Sequence, residues 1–166
     1  MGINEELKSL LEGDILFLGL GNMNRGDDSI GISLVEDLTD EIKNLKTNTQ
    51  IKALTCGKNP EFYIKDIVEY DPDTIILIDS VNFGENPGKL IITDPDSIKS
   101  RSVSSHRMPI PIFIEIIKEK IDKLKVHLIG IQPSNIEIGS SISDEVYTSG
   151  KRLKENILKV LKTSKI

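Results

Sequence analysis

Asp28, Asp79 and His106 are the side chains of this sequence best suited to joint chemistry. They sit far apart along the chain, in Gly26-Asp27-Asp28, in Leu77-Ile78-Asp79-Ser80 and in Ser104-Ser105-His106-Arg107-Met108-Pro109. Each falls where a strand or its following loop hands over to a helix. If the strands lie parallel, the loops open on one edge of the sheet, and two carboxylates and an imidazole converge. That donor set suits a divalent metal of borderline hardness. It leaves an octahedral ion unsaturated, so water or a substrate must supply the remaining positions. Each residue also has a plainer role. Asp28 would offset the dipole of a helix it opens. Asp79 would bond the next amides in a turn. His106 would be a solvated loop imidazole. Asp27 is expected to serve the backbone and leave Asp28 for the cleft. His127, inside an apolar run, is read as structural.

The elements that must position these residues follow from the hydrophobic pattern. Leu7, Leu10 and Leu11 predict a short amphipathic helix. Asp14 to Leu20 and Thr74 to Val81 are continuous apolar runs, the mark of strands buried on both faces. Val126 to Ile131 is a third, and Thr47 to Thr55 reads as another strand. Ile30, Leu34 and Leu38 recur every fourth position, as on a helix face. Asn59-Pro60 marks a helix start with Asn as cap, continuing through Tyr70. Lys89 to Thr93, after the turn Asn86-Pro87-Gly88, predicts a short antiparallel edge strand. Asp94 to Val103 is a polar loop, and Pro133 to Ser141 a second loop. Ile110, Phe113, Ile114, Ile117 and Ile121 mark a helix with its prolines confined to the first turn. Ser143 is placed to cap a last helix whose core face is Val146, Gly150, Leu153, Ile157 and Val160. Strands alternate with helices, which predicts a three-layer α/β sandwich, a twisted, mostly parallel sheet with helices on both faces. In such sheets the ligand cleft lies at the carboxyl ends of the strands, near the topological switch point.

Composition narrows the function classes. The 166 residues fit one domain, 1–166, and an apolar share of about 45% is ordinary for a globular chain. The net charge is −5 and no basic stripe occurs, so nucleic acid is not expected as a partner. One cysteine, Cys56, rules out an intramolecular disulfide and a cysteine-based zinc site within one chain. Met1 to Glu12 lacks an apolar leader core, and no apolar run approaches ~18 residues, so neither export nor membrane insertion is expected. A reducing cytoplasm is the default location.

Competing catalytic motifs are missing. There is no G-x-S-x-G elbow, no H-E-x-x-H helix and no P-loop. Ser105 adjoins His106, but adjacency in sequence does not create a nucleophile–base pair. Cys56 could act as a nucleophile near His106, yet a small buried hydrophobe is its commoner role. Gly19-Leu20-Gly21-Asn22-Met23-Asn24 opens like a dinucleotide fingerprint but has Asn24 at the third glycine position, and no acid closes the second strand. The glycines are therefore read as turning the backbone sharply at the cleft floor. A non-enzymatic nickel or zinc carrier, and a small-molecule α/β enzyme holding phosphate in the Gly-rich loop, stand as alternatives on residue types alone.

Taken together, the motifs resemble one family. Gly19-Leu20-Gly21-Asn22 followed by Gly26-Asp27-Asp28, Ile78-Asp79 at a central strand end, and Ser105-His106 before a helix resemble the nickel–iron hydrogenase maturation proteases. Asn86-Pro87-Gly88, Thr93-Asp94-Pro95-Asp96, His106-Arg107-Met108-Pro109 and Gly130-Ile131-Gln132-Pro133 look like the hydrogenase-3 branch and its archaeal relatives. The resemblance runs from about Asp14 to Gly139. It implies a sheet of about five strands and a cytoplasmic, monomeric endopeptidase, classed as aspartic in type. Such an enzyme removes the C-terminal extension of a hydrogenase large-subunit precursor after nickel insertion. By the same resemblance Asp28, Asp79 and His106 would be the catalytic and nickel-binding set, with zinc or cadmium as a surrogate, and Gly57 would meet the substrate. The chain departs from the family pattern at Ser29, where relatives carry Gly, and at Thr55-Cys56, where they commonly carry Asp-Gly. Ser29 is expected to be a first-turn helix residue.

Overall fold

The structure, a computed structural model, describes residues 2–98 and 108–164. Five strands form one sheet: β1 (Ile15–Leu20), β2 (Ile51–Gly57), β3 (Thr74–Ser80), β4 (Leu90–Thr93) and β5 (Lys125–Ile131), in the order β2-β1-β3-β5-β4. All pairings are parallel except β4 against β5. β4 is thus the antiparallel edge strand that the short turn before it predicts, starting at Leu90.

β1 and β3 are buried at every position, which explains why they read as unbroken apolar runs. Their side chains alternate between two cores, as the two-residue period of a strand requires. Ile15, Phe17, Ile76, Ile78, Ile129 and Ile131 meet α1 (Ile3–Leu10), α2 (Ile30–Ile42) and α5 (Asp144–Thr163) on one face. Leu16, Leu18, Ile75, Leu77 and Leu128 meet α3 (Ile64–Tyr70) and α4 (Ile110–Lys120) on the other. The expected α5 core face, Val146 to Val160, is buried.

The register departs from expectation in three places. β2 begins at Ile51 rather than Thr47 and runs on through Gly57. The Thr47 hydroxyl bonds the Thr49 carbonyl, a local turn contact that outcompetes the strand ladder. The helix from Pro60 splits into a 3₁₀ turn, Pro60–Tyr63, followed by α3, and Asn59 makes no side-chain cap bond. Ser143 occupies the cap position of α5 without capping it, because its hydroxyl goes to Asp27.

Chain order sets the location of the cleft. From β1 the chain goes outward to β2, then back across β1 to β3 and onward. The switch point therefore lies between the carboxyl ends of β1 and β3, from which the Asp28 loop and Asp79 respectively emerge.

Candidate active site at the switch point

Asp79 is the sixth residue of β3, buried to 8% exposure, and its Oδ1 accepts the Ser80 amide at 2.8 Å. The turn role is therefore realised, and the strand end also holds this carboxylate in a fixed position. Asp28 is half-buried in a 3₁₀ turn, Gly26–Ser29, that leads directly into α2. Two glycines bring these elements together. At Gly21 φ is +132°, and a Cβ there would overlap the Asp28 carbonyl and come within 3.7 Å of Asp79 Oδ1. At Gly31 a Cβ would overlap the Ile78 carbonyl and lie 2.6 Å from that of Leu20. Only a bare α-carbon lets the start of α2 press on the ends of β1 and β3. The Asp28 loop and the Asp79 carboxylate thus meet at one glycine.

The loops around this point are braced by polar side chains. Asp27 is fully buried. Its Oδ2 accepts the amides of Ser134 at 2.7 Å and Asn135 at 2.9 Å, and its Oδ1 accepts that of Ser143 at 2.6 Å. The Ser143 hydroxyl adds bonds to both oxygens. Asp27 therefore serves the backbone, as expected, but of the β5–α5 connection rather than of its own helix. Arg25 Nε donates to the Ile136 carbonyl at 3.1 Å and Gly139 N–H to that of Asn24 at 2.8 Å, closing the same two loops together. Gln132 does the corresponding work on the other side. Its Oε1 accepts the amides of Phe83 and Glu85, and its Nε2 donates to Asn82 Oδ1. Sequence reasoning missed Gln132 and the reach of Asp27; a glutamine ending an apolar strand before proline was the signal available.

Ser29 is buried and donates its hydroxyl to the Gly26 carbonyl at 2.7 Å. It closes its own turn. Cys56 is buried, and burial, aided by the nearby Asp66 charge, pushes its thiol up to about 12. A thiol so held is a small hydrophobe and not a nucleophile. Gly57 adopts φ +62° and its carbonyl accepts the Gly21 amide at 3.1 Å, which ties the end of β2 to the cleft floor. His127 is half-buried on β5 opposite Ile76, well below the carboxyl edge. His106 lies outside the described residues. Among the described residues no group of three His, Cys, Asp or Glu is placed to hold a metal, so the two aspartates alone do not constitute a metal centre.

A doubly wound α/β fold with carboxylates gathered at its switch point defines a class of enzymes that bind at the sheet's carboxyl edge. Comparison with known proteins makes that class specific. The family model described as hydrogenase maturation protease matches residues 32–160. The hydrogenase 3 maturation protease of Escherichia coli K12 is 32% identical over 145 residues, covering 84% of this chain and 88% of its own. The crystal structure of a nickel–iron hydrogenase maturation protease, HycI from Thermococcus kodakarensis, superposes with a TM-score of 0.83 at 32% identity, over 95% of this chain and 99% of the other. The solution structure of the endopeptidase HycI from Escherichia coli gives 0.73 at 26% identity, over 88% and 90%. The chain belongs to the hydrogenase maturation protease family, and it is a protease.

Proposed function

We propose that this protein removes the C-terminal extension of a nickel–iron hydrogenase large-subunit precursor, and that it does so only after nickel has been inserted. Asp28, Asp79 and His106 are the residues assigned to the task. The nickel is cargo of the substrate, held by the precursor's own ligands. Two carboxylates and an imidazole, too few by themselves to saturate the ion, would complete the coordination that the precursor's ligands begin, so a precursor without nickel lacks what they recognise. Recognition and cleavage are thereby coupled. Zinc or cadmium, which accept the same donors, would act as surrogates. Gly57, beside the cleft floor, is assigned to substrate contact. A carboxylate at the cleft activates water, which adds to the scissile carbonyl while the amine leaves with a proton.

The observation that carries this reading is the meeting of the Asp28 loop and the Asp79 carboxylate at Gly21, at the switch point of a family of endopeptidases. The test mixes the purified protein with nickel-loaded and nickel-free forms of its cognate precursor and follows the loss of mass. Cleavage of the loaded form alone is expected. Equal cleavage of both removes the gating, and a cognate precursor that stays whole in both forms removes the peptidase.

A further inference from the structure

Among the described residues, the exposed large hydrophobic side chains are Met23, Phe62, Ile112, Ile138 and Tyr147. A scattered surface leucine or isoleucine needs no explanation. These five are not scattered. In a parallel α/β sheet each helix runs back against its strands, so helix starts and strand ends share the carboxyl edge. Met23 is in the β1–α2 connection, Phe62 in the 3₁₀ turn after β2, and Ile138 in the β5–α5 connection. Ile112 and Tyr147 lie in the first turns of α4 and α5. All five therefore stand on the edge that carries Asp28 and Asp79.

Three of them lie in connections that backbone hydrogen bonds tie to the candidate site. Met23 and Ile138 each neighbour a member of the Asn24–Gly139 hydrogen bond, so the two loops that carry them are tied together. Phe62 is 71% exposed and Ile138 81%, values at which neither side chain supports the core. Phe62 follows the opposite loop, five residues beyond the Gly57 whose carbonyl accepts the Gly21 amide. The arms that carry these side chains are those that the Asp27 and Gly21 contacts hold in place. Apolar side chains kept in water on braced supports are pre-organised for a partner and lose little freedom on meeting it.

We infer that Met23, Phe62 and Ile138 form an apolar rim that grips the precursor polypeptide on either side of its scissile bond. This rests on the function proposed above. The loops that carry the rim join the cleft through the backbone bonds of Asn24 and Gly57. The rim takes bulky apolar side chains of an extended segment, so affinity for the precursor comes from the rim and the nickel provides discrimination. Phe62 and Ile138 are binding residues and touch no reacting atom.

The test measures both binding and cleavage of the nickel-loaded precursor with the wild type, Phe62→Asp, Ile138→Asp and the conservative Phe62→Leu. Circular dichroism and melting check that each variant is folded. Kd and KM are expected to rise together by tenfold or more in the two aspartate variants, with KM carrying the loss in kcat/KM, and Phe62→Leu is expected to restore most of the affinity. Values within twofold of wild type overturn the rim. Cleavage and binding separate this inference from the function it rests on. A wild type that binds but does not cut, with binding lost in the aspartate variants, upholds the rim and removes the peptidase. A wild type that neither binds nor cuts overturns both.

Discussion

At the scale of single residues, adjacent aspartates have opposite assignments, and substitution separates them. Asp27 is sealed from solvent and satisfies three backbone amides of a distant loop. Removing a carboxylate from such a site leaves buried donors unpaired, at about 1–3 kcal/mol each before relaxation. Asp27→Ala is therefore expected to lower unfolding stability by roughly 3 kcal/mol in urea titrations, and to lower cleavage by loosening the loop. Asp28→Asn keeps the shape of a half-buried side chain in a loop that Asp27, Arg25 and main-chain bonds hold in place. It is expected to abolish cleavage while changing stability by less than about 1 kcal/mol. A melting loss in Asp28→Asn as large as that in Asp27→Ala would return Asp28 to the structural role open to any first-turn aspartate. Cys56 offers a third check. With its thiol raised to about 12 by burial, it is expected to resist alkylation at pH 8 in the native protein and to react promptly in denaturant. Rapid native labelling would reopen the nucleophile reading.

At the scale of elements, the site depends on how closely α2 approaches β1 and β3. A methyl group at Gly31 would overlap the Ile78 carbonyl, and backbone atoms do not step aside as a flexible side chain would. Gly31→Ala is expected to cost roughly 1–3 kcal/mol in denaturant titrations. Because it pushes the Asp28 turn off Asp79, it should also slow cleavage of nickel-loaded precursor at saturation. Full stability with full activity would show that α2 does not set the geometry. These elements were largely legible in advance, for a physical reason. β1 and β3 are buried on both faces, so Ile15 to Leu20 and Thr74 to Ser80 advertise themselves without reference to neighbours. β2 is an edge strand with mixed exposure, and the threonines before it mimic strand propensity, so its start was misplaced. The candidate aspartates were legible because a strand end and a strand–helix loop are local features. The bonds from Asp27 to Ser134, Asn135 and Ser143 span more than a hundred residues and left no local pattern. The Ser143 cap failed for the same reason: cap propensity is local, whereas Ser143 answers to a tertiary partner; nothing in the structure explains why Asn59 makes no cap bond.

At the scale of the whole molecule, the two edges of the sheet carry different sets of charged groups. The carboxyl edge carries the candidate site, and the amino edge carries a charged set around His127, with Asp94, Lys125, Glu12 and Lys118 as its electrostatic neighbours. His127 sits opposite Ile76 while Gly130 sits opposite Asp79, three residues and about 10 Å further along the strands. Burial lowers the His127 pKa below its ordinary 6.5, against the opposing pull of Asp94 and Glu12. As pH falls below about 6.5, the unfolded imidazole takes up a proton that the folded one still refuses. The unfolded state then binds more protons, so stability declines with falling pH until the folded imidazole also titrates. The Glu12 pKa is lowered by Lys125, so the stability it contributes is held above its ordinary 4.5 and lost at lower pH. The two windows do not coincide. Urea titrations at pH 7.5, 6.5 and 5.5 should therefore show a loss in wild type that His127→Gln flattens. Cleavage by His127→Gln should match wild type, because His127 pairs three residues below the level of Asp79 on the strands. Parallel stability profiles for the two proteins would mean that His127 is not desolvated by folding. A loss of cleavage without a loss of stability would place it in the site.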